Sequence, residues 1–225
     1  MVDSADTASP DRSLYLIDAM SLAYRAHYIF ISRPLINSKG QNTSAAYGFT
    51  NSLLKLIEDH SIEHAAVVFD EGEEDTFRKE IYEDYKAHRD PPPDELLENI
   101  PYIKEIVQAL DIPVLEVPGV EADDVIGTLA TQAEEDGAEV VIVSPDKDFK
   151  QLLSDKVSIY KPAKGDQDFE IKTGETFREE NGLDPAQFID MLALMGDDSD
   201  NVPGVYGIGP KTAQKLLREY HSVAT

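Results

Sequence analysis

The stretch Val120-Glu121-Ala122-Asp123-Asp124-Val125-Ile126 decides how this chain is interpreted. Three carboxylates fall within four residues, and an apolar run begins immediately after them. One or two acidic residues are favoured in the first turn of a helix by the helix macrodipole. A third raises the free energy of its neighbours unless a cation neutralises the group. We therefore interpret the stretch as a metal cluster at the start of a helix.

Short apolar strands alternate with helices on both sides of this stretch. Strands are predicted at 14–17, 65–69, 114–117, 140–143 and 157–160, and helices at 44–59, at 96–110 and directly after the acidic stretch. This alternation predicts βαβ crossovers and an α/β fold, with a mostly parallel central sheet covered by helices on both faces. After Lys161 the pattern changes to short helices at 173–180 and 185–195, followed by a Gly-rich turn.

The predicted organisation has three parts. A disordered acidic tail occupies 1–12, a catalytic domain 13–170, and a helical region 171–225. The chain has no cysteine, which excludes disulfides, thiolate metal sites and cysteine nucleophiles. No apolar run approaches the roughly 18–20 residues of a membrane span, and the acidic start is unlike a signal peptide. We expect a cytoplasmic protein with no membrane partner.

The formal net charge is −24, which taken alone argues against a nucleic-acid partner because phosphate binding normally uses a basic face. Two interpretations remain open. Either the partner is not a polyanion, or the acidic residues lie away from the site as an adaptation to a salty cytoplasm, where salt screens their repulsion.

Acidic residues follow the predicted strands at the points where the strands end. Six acids from four segments stand there: Asp18, Asp70, Glu121, Asp123, Asp124 and Asp146. Asp148, Asp197 and Asp200 follow further along the chain. A single strand-end Asp is more often a helix cap or turn former, but independent caps need not occupy every successive strand end. Because ligands bind along the carboxyl edge of a parallel sheet, we expect these acids to converge.

A cluster made only of carboxylate oxygens, with no Cys and no well-placed His, favours Mg²⁺ or Mn²⁺ over zinc. The acids exceed what one ion needs. Two ions about 3.5–4 Å apart would contact an attacking water and a leaving oxygen, as in phosphodiester cleavage. The pattern therefore predicts a phosphoryl-transfer site that needs no protein nucleophile.

Taken in order and spacing, the motifs of the chain resemble the 5′-nuclease superfamily, and most closely the N-terminal 5′→3′ exonuclease domains of bacterial DNA polymerases I. They are Ile17-Asp18 with Leu22-Ala23-Tyr24-Arg25, Val68-Phe69-Asp70, Thr76-Phe77-Arg78, Tyr85-Lys86-Ala87-His88-Arg89, Gly119 to Val125, Asp146-Lys147-Asp148 and Leu194 to Gly204. The resemblance implies a PIN-like 5′-nuclease fold followed by a small helix-hairpin-helix region.

The resemblance also implies a function. Family enzymes cut 5′ flaps and nicked or gapped duplexes with two metal ions, so we expect a flap endonuclease and 5′→3′ exonuclease of DNA replication and repair. Glu121, Asp123, Asp124 and Asp146 would face one ion, Asp148, Asp197 and Asp200 the other, and Asp18 and Asp70 would complete the cluster. We expect a nucleoid-associated monomer acting on DNA with flaps, nicks or primers, truncated after Thr225, with a polymerase domain following in the full-length chain.

The segment 71–95 corresponds by resemblance to the arch over the active site. Its basic residues Arg78, Lys79, Lys86 and Arg89 would bind DNA, and Arg78, Lys86 and Arg89 would also steer the scissile phosphate and the 5′ strand. Tyr24 and Arg25 would face the same opening. Tyr82 and Tyr85 are expected either to stack on a base or to pack in the core. The alternative for the segment is a solvated charged loop, because the neighbouring residues 71–75 are unusually acidic.

The Gly-rich turn at 203–212 is by itself weak evidence for a phosphate site, since most such turns are only turns. By resemblance it is the hairpin that grips the duplex. We expect Gly204, Gly207, Gly209, Lys211 and Thr212 to bind DNA there, with K⁺ as a further ion held by backbone carbonyls.

Two other functions remain possible from the sequence. The chain could be a catalytically weak or inactive fragment that binds DNA junctions. It could also be a phosphotransfer domain with a strand-end Asp as nucleophile, which gives no role to the Gly-rich turn or to Asp197 and Asp200. The segment 28–33 also looks about two residues longer than is usual in the family.

Overall fold

The structure, a computed structural model, describes residues 13–70, 76–162 and 169–223. The predicted tail at 1–12 and residues 71–75 of the predicted arch lie outside the described residues.

A six-stranded sheet forms the centre of the molecule. Its strands are β1 (Ser13–Asp18), β2 (His64–Phe69), β3 (Val114–Glu116), β4 (Glu139–Val143), β5 (Val157–Pro162) and β6 (Phe169–Lys172), in the spatial order β3-β2-β1-β4-β5-β6. All neighbouring pairs are parallel except β5 and β6, which are antiparallel. The mostly parallel sheet is therefore confirmed. The short edge strand β6 was not predicted, because its four residues carry too little apolar pattern.

The helices are α1 (Ala19–Ile29), α2 (Ser44–His60), α3 (Phe77–Ile81), α4 (Asp94–Leu97), α5 (Ile100–Ala109), α6 (Ala122–Glu135), α7 (Gly174–Asn181), α8 (Gln187–Met195) and α9 (Pro210–Tyr220), with a 3₁₀ helix at Asp148–Leu152. The prediction missed α1. It also drew α4 and α5 as one helix, whereas the chain breaks between them. Pro101 has no N–H to continue α4, and the Asn99 side chain donates to the carbonyls of Glu95 and Asn42.

Alternate residues of the strands point to opposite faces of the sheet, and each face has its own core. Leu16 and Ile142 pack with Ile126 of α6 and with residues of α8 and α9. On the opposite face, Ile17 and Val143 pack with residues of α2 and α5. Helices thus cover both faces, as predicted. Among the described helices, none combines the length and apolar character needed to cross a membrane.

A short antiparallel hairpin follows α8 and consists of β7 (Gly196–Asp197) and β8 (Val202–Pro203). Gly204 directly after it lies so close to the end of α8 that a Cβ on this residue would be 2.2 Å from the carbonyl carbon of Met195. Gly207 adopts a φ of +80°, which side chains strongly disfavour. The glycines are therefore needed to form this connection, and the connection places Asp197 and Asp200.

Candidate metal centre

The ends of β1 and β4 bring Asp18 and Asp146 together through a serine. Asp18 accepts a hydrogen bond from the Ser21 amide (3.0 Å) as the N-cap of α1 and a second from the Ser144 hydroxyl (2.7 Å). The same hydroxyl accepts from the amide of Asp146 at 3.0 Å. Ser144 was not predicted as a site residue, although its position directly after β4 was a usable signal.

The start of α6 brings in Asp70 and the acidic stretch. Asp70, just past β2, accepts from the Ala122 amide at 2.7 Å, and Asp124 accepts from the Glu121 amide at 3.3 Å. The prediction that strand ends and helix start converge on one edge agrees with this arrangement. Burial raises the pKa of Asp18 and of Asp70 above the usual range for an aspartate, despite the hydrogen bonds that each accepts.

Asp123 and Asp148 are two further carboxyl groups with raised pKa values. Burial, followed by repulsion from Asp18 and Asp146, raises the pKa of Asp123 to about 8. Burial and repulsion from Asp146 and Asp197 raise the pKa of Asp148 to about 6. Both shifts indicate carboxyl groups that are buried and crowded, with too little positive charge nearby to favour the ionised form.

The carboxylates of Asp148, Asp197 and Asp200 each offer an oxygen within 4.8 Å of the others. The Asp148 Oδ1 atom is buried and has no hydrogen-bond partner within the described residues. An unpartnered buried carboxylate oxygen facing two more carboxylates is a donor set that a divalent cation fits. The residues present therefore suit the metal that the sequence predicts.

Basic residues of α3 and of the segment after it pair with acids at the rim of the cluster. Lys86 lies 2.9 Å from Glu121, and Arg89 lies 2.9 Å from Asp200. Arg78 donates two hydrogen bonds to Asp124, at 2.5 and 2.7 Å, and holds the pKa of that carboxyl below its usual value. The described part of the predicted arch thus packs directly against the carboxylates. Both oxygens of Asp124 are engaged by Arg78, and its ligation of a metal stays a prediction.

Lys147 is a second residue that contacts the cluster but was not predicted from the sequence to do so. Its ammonium lies 2.7 Å from Asp197, whose Oδ1 also accepts from the amide and hydroxyl of Ser199. Burial raises the pKa of Asp197, but these donors outweigh it and the net shift is downward. The usable signal was the position of Lys147 between two of the acids.

The two tyrosines of the arch segment, Tyr82 and Tyr85, form hydrogen bonds with residues at and near the cluster. Tyr85 is 7% exposed, and its hydroxyl lies 3.1 Å from Glu121 and 3.2 Å from Asp200. Tyr82 donates to the carbonyl of Asn201 at 3.1 Å. Of the two alternatives drawn from the sequence, the structure favours packing for Tyr85, whereas Tyr82 is half-buried. Burial and the neighbouring carboxylates raise the pKa of Tyr85, so its hydroxyl stays protonated.

The other predicted residues lie around this centre. Tyr24 and Arg25 are half-buried in the second turn of α1, and Lys79 lies next to Arg78 in α3. Gly209 caps α9, and Lys211 and Thr212 lie in its first turn, where Lys211 is exposed. Their contacts with DNA stay predictions.

Two family models cover the described chain. The model for the N-terminal resolvase-like domain of 5′-3′ exonucleases matches residues 13–182, and the model for the 5′-3′ exonuclease C-terminal SAM fold matches residues 183–225. They meet further along the chain than the predicted domain boundary at residue 170.

Named relatives agree with these models. DNA polymerase I of Bacillus subtilis is 48% identical over 213 residues, which are 94% of this chain and 24% of the polymerase. The 5′-3′ exonuclease of Aquifex aeolicus is 44% identical over 212 residues, 94% of this chain and 71% of that protein. The chain thus spans about a quarter of the polymerase it matches and most of the exonuclease.

The fold has a counterpart among solved structures. The flap endonuclease of bacteriophage T5, in a pseudo-enzyme-product complex with DNA and metal ions, superposes with a TM-score of 0.74 at 27% identity, covering 94% of this chain and 76% of that one. With a PIN-like α/β fold and a matching family model over most of its length, the chain belongs to the 5′-3′ exonuclease family.

Proposed function

We propose that this chain is a structure-specific 5′→3′ exonuclease and 5′-flap endonuclease. It would hydrolyse DNA and RNA-primer phosphodiesters in replication and repair, as the N-terminal part of a DNA polymerase I. The observation that carries the proposal is the group Asp148, Asp197 and Asp200, whose carboxylates offer oxygens within 4.8 Å of one another, with the buried Oδ1 atom of Asp148 lacking a hydrogen-bond partner among the described residues. The family match and the T5 complex with DNA and metal ions support the same conclusion.

Two divalent ions, which we propose to be Mg²⁺ or Mn²⁺, would stabilise the attacking and leaving oxygens of a phosphodiester when bound. All nine predicted acids are candidates to hold them, with Ser144 and the amides of Ser21 and Ala122 fixing the orientation of Asp18 and Asp70. The hydrogen bonds set the positions of the carboxylates before any ligand arrives. No side chain is required as a nucleophile.

The arch cations have a positioning role in this proposal. Lys86 and Arg78 lie against Glu121 and Asp124, so a substrate phosphate entering the site would compete with these acids for the same cations. Guanidinium and ammonium groups bind phosphate through charge-assisted hydrogen bonds. The pair would hold the scissile phosphate over the carboxylate cluster. The hairpin after α8 would bind the duplex backbone, with K⁺ as its ion.

An aspartyl-phosphate mechanism fits the structure less well. It gives no role to Asp197 and Asp200, which lie against Asp148. A DNA-binding fragment that does not cut remains the alternative that the experiment must separate.

The test is cleavage of a labelled 5′-flap DNA with Mg²⁺ and with EDTA. Wild type should cut near the junction only with Mg²⁺, and Asp146→Ala should bind the DNA without cutting it. Asp155→Ala is the matched control, because the Asp155 side chain is 95% exposed. A wild-type chain that binds the flap and never cuts it would establish the junction binder instead, and full cleavage by Asp146→Ala would remove the metal assignment.

We also propose that the protein works as a nucleoid-associated cytoplasmic monomer, and that its charge of −24 is an adaptation to high salt. Screening would then reduce the repulsion between surface acids. Unfolding measured against KCl concentration tests the adaptation, and stability that does not rise with KCl would reject it.

A further inference from the structure

Three lysines lie on one face of the sheet beside the metal centre, and we name Lys150, Lys161 and Lys172 the lysine patch. The feature is unusual in a chain with 44 acidic and 20 basic residues. Lys150 belongs to the 3₁₀ helix, which contacts β5, α6 and α8, and the other two lysines belong to β5 and β6.

The strand register places the lysines on the same face. Ile159 packs in the core under α6 and α8, and Lys161, two residues further along β5, points the same way. Lys172 lies directly opposite Ile159 in the antiparallel pair and shares its face. The Lys150 ammonium lies 5.6 Å from the ring centroid of Phe188 in α8, on that same face.

The charges of the patch are incompletely balanced. Within the described residues, neither Lys150 nor Lys161 forms an ion pair, while the nearby Glu170 and Glu180 both pair with Lys172, at 2.9 and 2.5 Å. An anion bound between the lysines would balance the positive charge that the two glutamates leave unpaired.

The patch adjoins the metal centre on the β5 side. Tyr160 pairs with Val143, so Lys161 lies alongside Ser144, whose hydroxyl contacts Asp18 and the Asp146 amide. Lys150 follows Asp148 by two residues. The arch cations contact the cluster elsewhere, at the start of α6 and at Asp200.

We propose that the lysine patch binds backbone phosphates of the DNA next to the cleavage site, on the β5 side of the metal centre. The inference rests on the proposed function and adds a second DNA surface to it, separate from the arch and the hairpin. Lys150 and Lys161 contact the phosphates, while Lys172 pairs with Glu170, which lies opposite Lys161, and with Glu180. The occupant is a nucleic-acid backbone because a row of ammonium groups matches a row of phosphates, without reading the base sequence.

The test measures binding of a fluorescent 5′-flap DNA by anisotropy in EDTA, where the DNA stays uncut, at several KCl concentrations. The variant is Lys150→Gln/Lys161→Gln, which keeps side-chain length. Each lost phosphate contact lowers the slope of log K against log[KCl] by about 0.7–0.9, so the double variant should lose about 1.5 and bind about thirtyfold more weakly near 0.1 M salt. Lys156→Gln is the matched control, because Lys156 is exposed and precedes the other end of the same strand.

The outcomes separate the two proposals. A double variant with the wild-type slope, while the wild type binds and cuts flaps with Mg²⁺, overturns the patch and leaves the nuclease. A reduced slope in the double variant, while the wild type binds flaps and never cuts them, supports the patch and removes the nuclease. Thermal unfolding checks that each variant folds, and if the loss of Lys150 from Phe188 disturbs folding, Lys161→Gln alone should lower the slope by about 0.7–0.9. Equal loss in Lys156→Gln also overturns the patch.

Discussion

The carboxylate cluster has two regions that differ in how their charge is balanced. The inner acids, which have no ion pair to a basic side chain within the described residues, are Asp18, Asp70, Asp123, Asp146 and Asp148. The outer acids, each paired with a lysine or arginine, are Glu121, Asp124, Asp197 and Asp200. The pKa is raised at Asp123 and Asp148 but lowered at Asp124 and Asp197.

This difference shows that one type of side chain serves two purposes within a single cluster. The inner acids have no basic partner among the described residues, so we expect metal dependence to be strongest in them, together with Asp197 and Asp200, which lie near Asp148. Three of the outer acids, Glu121, Asp124 and Asp200, pair with the cations predicted to bind DNA. When a phosphate binds at the outer region, a lysine or arginine would exchange its carboxylate partner for the phosphate. When a metal ion binds at the inner region, it would add positive charge that the inner carboxylates lack.

The largest expected effect is on the cleavage rate, and it should differ between the neighbouring residues Asp123, an inner acid, and Asp124, an outer acid. Asp123→Asn should lower the single-turnover rate of flap cleavage by about a thousandfold, roughly 4 kcal/mol of barrier, because an inner carboxylate is lost. Asp124→Asn should cost about tenfold, since Arg78 engages both Asp124 oxygens. Rates with a labelled flap and saturating Mg²⁺ check the pair. Equal losses would show that the inner and outer acids do not differ in function.

The next effect is on stability without metal. The pKa of Asp123 is about 8 in the folded chain, compared with about 3.9 unfolded, so ionisation costs stability as pH rises from about 4 to about 8. In EDTA, the free energy of unfolding should therefore fall between pH 5.5 and 8, by on the order of 3 kcal/mol, and Asp123→Asn should remove most of the fall. Urea unfolding at both pH values measures this. If the unfolding free energy of wild type and of Asp123→Asn fell equally between the two pH values, Asp123 would not be the group responsible. In wild type, added Mg²⁺ should restore the stability lost at pH 8.

A smaller effect tests how the outer acids Asp197 and Asp200 are held. Gly204→Ala forces a Cβ to 2.2 Å from the Met195 carbonyl carbon, so the hairpin should shift and destabilise the chain by about 2 kcal/mol. Gly209→Ala is the control, because a Cβ there meets nothing within 4 Å. Thermal unfolding and Mn²⁺ titration should both change in the first variant only. An unchanged Mn²⁺ affinity in Gly204→Ala would separate the hairpin from the metal centre.

The smallest effect concerns the arch. Lys86→Ala should slow cleavage about tenfold, near 1.4 kcal/mol, because the phosphate loses one cation while the inner acids remain. Lys104→Ala removes a comparable ion pair, 2.6 Å from Glu116, away from the cluster and should leave the rate unchanged. Cleavage rates and Mn²⁺ binding by calorimetry measure the two properties separately. Weaker Mn²⁺ binding in Lys86→Ala would place this lysine in support of the metal instead.

The sheet and the convergence of its acids were predictable because both follow from local pattern. An apolar run predicts a strand, and the aspartate that ends the run marks the carboxyl end of that strand. The helix α1 was missed because its buried face is built largely from the small residues Ala19, Ala23 and Ala26, which give a weak apolar period. The edge strand β6 was missed because it depends on pairing with β5, and the sequence of its four residues does not predict that pairing.

The site itself was only partly predictable, for the same reason. Which acids face the sheet edge follows from strand ends, but which of them meet a cation depends on contacts across long sequence separations, such as Arg89 with Asp200. Ser144 and Lys147 also acquire their roles only through partners elsewhere in the chain, Asp18 and Asp197. Sequence pattern identifies the carboxylates, and folding decides their partners.

The hairpin that carries Asp197 and Asp200 belongs to the region matched by the C-terminal family model, whereas Asp148 belongs to the N-terminal one. Residues from both regions, including Phe177 and Phe188, also share a single core. The metal centre is therefore completed only when the two regions meet. If the chain were divided between residues 182 and 183 into two polypeptides, Mn²⁺ binding would require the two to associate. Mn²⁺ uptake would therefore measure the reassembly of such a split protein.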